Sequence, residues 1–188
     1  HEQTTAVEIL NDFKDIGLDY WVSGYGTGGT FSGVSRVLRK HSPETKLIIT
    51  EPENAQLINS LLSQERNSDG SPSGSHEAWN PHPIQGWTPD FIPLVLQESI
   101  DNNRFDLLVP IGGQDGIEAS KMLAQKEGIF TGISGGSTFA VALDIARNAQ
   151  PGTVILCMLP DTGERYLSSP LFEDVAEGMD EQEVALSH

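Results

Sequence analysis

The sequence predicts a three-layer α/β domain built on a twisted parallel sheet. Short apolar runs alternate with longer amphipathic ones along most of its length. Strands buried on both faces read as continuous apolar runs, and helices between them supply the crossovers. The run Trp21–Gly33, WVSGYGTGGTFSG, places five glycines between the first strand and the next helix.

The elements follow in order. AVEILNDF, from Ala6, carries apolar residues at helical spacing, with Thr4 or Thr5 as the candidate cap. LDYWVS is the first strand, and the glycine run joins it to the helical GVSRVLRK. KLIIT is a strand that ends at Glu51-Pro52, and NAQLINSLL reads as a helix. FDLLVP is a third strand, and GIEASKMLAQKEG a helix stopped by Gly128. SGGSTFAVALDIARNA is a further helix, and TVILCML a fourth strand. No internal repeat is present.

Two segments fall outside this alternation. Gln64–Asn80 is polar and rich in Ser and Gly, so it reads as a surface excursion, of a length more often functional than structural. The tail after Phe172 holds Glu173, Asp174, Glu177, Asp180, Glu181 and Glu183 without Lys or Arg, and reads as frayed and solvated. The expected division is a ligand-binding α/β domain over 1–172 and an acidic tail over 173–188.

The formal charge is −16. A surface so acidic repels nucleic acid and anionic membranes, so an anionic ligand has to be held by local dipoles. No apolar run approaches the roughly 20 residues of a membrane-spanning helix. The lone cysteine, Cys157, sits in an apolar strand and reads as a core thiol, which suits a reducing cytoplasm. The chain opens on His1, in what reads as a helix already under way, and this points to a piece of a longer protein.

The glycine run has the form of a phosphate cradle. A helix N-terminus offers unpaired N–H groups and the positive end of the helix dipole, and glycine lets a ligand approach the backbone. A nucleoside triphosphate is excluded, because Gly29 is followed by Thr30 and Phe31 rather than by Lys-Ser/Thr. A dinucleotide stays open: Gly24, Gly26 and Gly29 match G-x-G-x-x-G, and Glu51 closes the following strand where a ribose partner would stand. So does a single phosphate monoester, with GTGGT (Gly26, Thr27, Gly28, Gly29, Thr30) as the unit.

Several stretches in one order resemble cysteine synthase (O-acetylserine sulfhydrylase), a pyridoxal-phosphate enzyme of the β-replacement type. They are HEQTTAVEI, SGYGTGGTFSGVSRVL, Glu51-Pro52, HPIQG and FIP over 82–93, EGIFTGISGGS and GERYLSSPLF. The resemblance covers nearly the whole chain, but only the C-terminal portion of the family. It implies the large domain of the tryptophan-synthase-β-like fold, known as fold type II. It implies pyridoxal 5′-phosphate as cofactor, with Gly26, Thr27, Gly28, Gly29 and Thr30 around the phosphate and Ser134 at the ring nitrogen. A hydroxyl there leaves the nitrogen largely unprotonated, which suits loss of a good leaving group. Ser134 also reads as an N-cap for the helix after it. Gln85 and Gly86, in IQG, match the segment at the mouth of the site that moves as substrate binds. The implied reaction converts O-acetylserine and sulfide to cysteine and acetate. A homodimer that docks the C-terminus of serine acetyltransferase is implied too.

The sequence departs from the family in ways that matter. The cofactor-holding lysine lies in a motif resembling SVKDR, and the substrate-carboxylate loop resembles TSGNTG. Neither occurs here. Lys14, Lys40, Lys46, Lys121 and Lys126 all stand in helical or strand-edge runs, so no residue of this chain is assigned as catalytic. The glycine-rich run after IQG becomes Trp87-Thr88-Pro89-Asp90, the second serine of GISSG becomes Gly135, and the excursion over 64–80 exceeds the family norm. His82, between two prolines, reads as a loop residue. Trp87 and Phe91 read equally as pocket walls or as loop packing. Cystathionine β-synthase and serine or threonine dehydratase share the implied fold. A nicotinamide dehydrogenase domain and a non-catalytic binding module are the alternatives of other classes.

Overall fold

The computed structural model describes residues 1–174 and 178–187. The elements run α1 (Thr5–Asp12), β1 (Tyr20–Gly24), α2 (Gly29–His41), β2 (Lys46–Pro52), α3 (Leu94–Asp101), β3 (Leu107–Ile111), α4 (Gly113–Glu127), α5 (Ile133–Asn148), β4 (Ile155–Cys157) and α6 (Glu181–Leu186). The four strands form one parallel sheet in the order β3-β2-β1-β4. Side chains alternate across it. Trp21, Leu47 and Ile49 face a core made with α1, α2 and α3, whereas Val22 and Ile48 face one made with α4 and α5. The three layers are therefore those the sequence predicts.

The direction of travel across the sheet reverses at β1. From β1 the chain steps to β2 and β3 on one side, and later returns to place β4 on the other. The carboxyl end of β1 is thus a switch point, where diverging connections leave a crevice in open α/β sheets.

Three local expectations need correction. NAQLINSLL forms turns instead of a helix, because buried Glu51 takes the N–H groups of Ile58 and Asn59 (3.1 and 3.0 Å) that a helix would have used. Helix α3 was not expected; it starts after Pro93 and buries Leu96 and Ser99. Thr4 holds the cap position of α1 without a capping bond from its side chain. The acidic tail also carries structure. Asp180 and Glu183 close a reciprocal capping box on α6, whose described residues are all exposed. Among the described residues, no helix is long and apolar enough to cross a membrane.

Candidate functional site

A cavity of about 450 Å³ opens at the switch point. That volume falls in the range of small-molecule sites. The end of β1 and the start of α2 line it from Ser23 to Phe31. The segment after β4 contributes Met158, Pro160 and Asp161, α5 contributes Ser134 and Thr138, and the connection between β2 and α3 contributes Gln85, Gly86 and Trp87. Gly26, Thr27, Gly28, Gly29, Thr30, Ser134, Gln85 and Gly86 are thus brought to one cavity from separate parts of the chain.

The glycine loop forms a cradle for a physical reason. Gly28 adopts a left-handed conformation, with φ of +84°, and turns the chain into α2. A Cβ there would stand 2.7 Å from Leu96 Cβ and 3.0 Å from its backbone, so only glycine fits. The first bond that closes the helix runs from Ser32 N–H to Gly28 C=O (2.9 Å). The N–H groups of Gly29, Thr30 and Phe31 have no partner among the described residues. They present three donors and the positive end of the α2 dipole to the cavity. Among the described residues, no Lys or Arg lines it. An anion there would meet these backbone dipoles, with the His1 ring beside them at the Thr30 hydroxyl (3.1 Å).

Ser134 stands one residue inside α5, whose cap position is Gly132, and its hydroxyl caps nothing. The side chain is 3% exposed and its Oγ has no hydrogen bond among the described residues. The N-cap reading of Ser134 is thereby corrected. A hydroxyl without a protein partner, open to a cavity, is free to bind a ligand.

Glu51 is not at the site. It is fully buried, accepts the Tyr25 hydroxyl (2.9 Å) and the Ile58 and Asn59 N–H groups, and does not line the cavity. Burial pushes its carboxyl up from the ordinary value, against the pull of those donors. It therefore has no free oxygen for a ribose, and the dinucleotide reading loses its acidic partner. His82 donates through Nε2 to Thr88 C=O (3.2 Å) and lies in the loop, away from the cavity lining. Trp87 both lines the cavity and packs in the core with Ile84 and Tyr166, whereas Phe91 does not line it. Cys157 is half-buried in β4, and burial pushes its thiol up to about 11.

Sequence reasoning missed Tyr25, Thr138, Asp161 and Tyr166 as cavity residues. The Tyr166 hydroxyl donates to Asp161, and burial together with that carboxylate pushes it up to about 12. Asp161 and Tyr166 flank the GER run, and that was the available signal. None of the five lysines lines the cavity.

A family model described as pyridoxal-phosphate dependent enzyme matches residues 2–161. The chain belongs to that family. The donor set accords with the match: backbone amides and hydroxyls stand at one end of the cavity and an unpartnered serine hydroxyl in its wall. O-ureido-L-serine synthase of Streptomyces lavendulae is 45% identical over 96% of this chain and 50% of its own length. Cysteine synthase of Staphylococcus aureus is 36% identical over 92% of this chain and 49% of its own. The chain thus spans about half the length of the curated relatives it matches. A crystal structure of O-ureido-L-serine synthase superposes with a TM-score of 0.81 at 44% identity, covering 98% of this chain and 52% of that one. An O-acetylserine-dependent cystathionine β-synthase from Helicobacter pylori gives 0.72 at 32% identity, over 91% of this chain and 49% of that one.

Proposed function

We propose that this chain provides the phosphate-binding and ring-binding part of a β-replacement enzyme acting on an O-activated serine. The observation that carries the reading is the meeting of the unpaired α2 amides and the unpartnered Ser134 hydroxyl in one cavity at the sheet's switch point. Pyridoxal phosphate, when bound, supplies an electron-withdrawing ring that eases loss of the α-proton and of the β-substituent.

The chain's own residues bind and orient. The N–H groups of Gly29, Thr30 and Phe31, with the Thr27 and Thr30 hydroxyls, hold the phosphate. Ser134 bonds the ring nitrogen and, being neutral, leaves it without a full charge. Gln85, Gly86 and Trp87 close the mouth and keep water from the reacting carbon. Proton transfer at the α-carbon is not assigned to any side chain here, because no lysine reaches the cavity.

Cysteine formation from O-acetylserine and sulfide, with acetate leaving, is the first reading of the reaction. A second is favoured by the higher identity to O-ureido-L-serine synthase (45% against 36%). In it an oxygen nucleophile replaces sulfide at the same carbon. A homodimer and a serine acetyltransferase partner belong to the first reading and rest on the family resemblance alone, and a cytoplasmic location rests on the lone cysteine. Calorimetric titration with pyridoxal phosphate, pyridoxal and NADH tests the cofactor. Binding of the first, weaker binding of the second and none of the third is expected; NADH binding in preference would overturn the reading. Amino-acid products from O-acetylserine with sulfide or with hydroxyurea, measured on the protein as its own gene expresses it, separate the two reactions.

A further inference from the structure

The segment at the mouth of the cavity is fastened to the glycine loop residue by residue. The Trp87 indole lies directly on the backbone of Gly24, and any Cβ at Gly24 would fall inside the ring. The Gly86 carbonyl lies against Gly26 in the same way. Thr88 N–H donates to Tyr25 C=O at 2.8 Å. Residues 86–88 thus seat on residues 24–26, which lead into the phosphate cradle. Trp87 is only 8% exposed.

The polar excursion, with His82 just after it, fastens the same segment from outside. Trp79 Nε1 and His82 Nε2 both reach Thr88 C=O, at 3.0 and 3.2 Å. His76 N–H donates to Asp90 C=O (2.6 Å), and the Ser75 hydroxyl donates to the Asp90 carboxylate. Gln64 accepts from Ile92 N–H (3.0 Å), and Arg66 donates to Ile92 C=O (2.6 Å). Thr88 itself is held at a φ of +38°, a conformation that side-chain-bearing residues keep only when their surroundings impose it.

We propose that Trp87 is a positioning residue for the phosphate cradle, and that the 64–80 excursion is the strap that keeps it seated. The contacts tie residues 86–88 and residues 24–26 into one unit. Opening it requires lifting the indole from Gly24 and releasing Thr88 from Tyr25. The cradle and the mouth then respond together to a ligand at either one.

Amide hydrogen exchange on the chain without added cofactor tests this fastening independently of cofactor binding. Slow exchange is expected at Thr88 and Ile92 in the native protein and in Trp87→Phe, and fast exchange at Thr88 in Trp87→Gly and in Gly24→Ala. Fast exchange in the native protein, or unchanged protection in Trp87→Gly, would overturn the proposal. Titration with pyridoxal phosphate is a second arm, which rests on the proposed function. Gly24→Ala and Trp87→Gly should each weaken binding about tenfold, and the double variant should be no worse than the weaker single one, because both break one contact. Multiplying losses would show two independent effects and sink the coupling. If Gly24→Ala does not fold, the comparison of Trp87→Gly with Trp87→Phe still decides. If the native chain binds no pyridoxal phosphate, the cofactor reading fails while the exchange result stands.

Discussion

Replacing Gly28 by alanine isolates the bend that opens α2. The native φ of +84° lies in the left-handed region, which costs an alanine about 1–2 kcal/mol. The new Cβ would also meet Leu96, 2.7 Å from its Cβ and 3.0 Å from its Cα and N. Two of those three atoms are backbone, so α3 itself has to shift, at a cost typical of overpacking, about 1–3 kcal/mol. The sum is about 2–5 kcal/mol, and a domain of this size loses about 2–4 °C of Tm per kcal/mol, so Tm should fall by about 4–20 °C. Gly29→Ala is the matched control. Its nearest contact would be Thr27 Oγ1 at 3.8 Å, and a helical alanine is favoured over glycine by about 0.5–1 kcal/mol. Melting followed by circular dichroism compares the two variants with the parent chain. Equal melting temperatures for Gly28→Ala and Gly29→Ala would refute the argument that conformation and Leu96 together require glycine at 28.

Ser134→Ala should leave stability within about 0.5 kcal/mol, since the hydroxyl bonds nothing among the described residues, and should weaken pyridoxal phosphate binding about 2- to 10-fold, one neutral hydrogen bond's worth; a large drop in Tm with unchanged binding would speak for a structural role. Borohydride treatment of the chain with pyridoxal phosphate should fix cofactor mass on none of Lys14, Lys40, Lys46, Lys121 and Lys126, as read by peptide mass spectrometry; a stoichiometric adduct at one of them would place a lysine in the cavity. Burial works against the ionised form of Asp106, but Leu47 N–H and Arg39 (both at 2.7 Å) outweigh it and hold its carboxyl below the ordinary value. A depressed folded value means stability that is present above the ordinary carboxylate range and lost as pH falls through the lower one. Denaturant midpoints for Asp106→Asn should therefore lie below the parent's at neutral pH and converge with them on acidification; a constant gap would contradict this.

Most of the fold was legible because the strands are buried on both faces. LDYWVS, KLIIT and TVILCML each carry side chains for both cores, and that produces the unbroken apolar runs. Helix α3 was illegible because Ser99 occupies one of its buried positions, where its hydroxyl donates to Ser32 (2.8 Å). A serine on the buried face hides the apolar period. NAQLINSLL failed for the opposite reason: its spacing is helical, but a carboxylate that ends another strand takes its N–H groups. The cradle at Gly26–Thr30 was legible because a strand, glycines and a helix stand side by side in sequence. The partner of Glu51 was not, since Tyr25 lies 26 residues away and the pairing exists only once β1 and β2 are side by side.

The cavity's lack of a Lys or Arg in its wall has a kinetic corollary. The backbone dipoles that would grip a phosphate act only at contact, whereas a net charge of −16 is felt by an approaching anion over a Debye length, about 10 Å at 0.1 M salt. The far field of this molecule opposes its ligand while the near field attracts it. Added salt screens the first and leaves the second almost untouched. An anionic ligand should thus associate faster as ionic strength rises, the reverse of what a cationic pocket does, with the dissociation rate nearly constant.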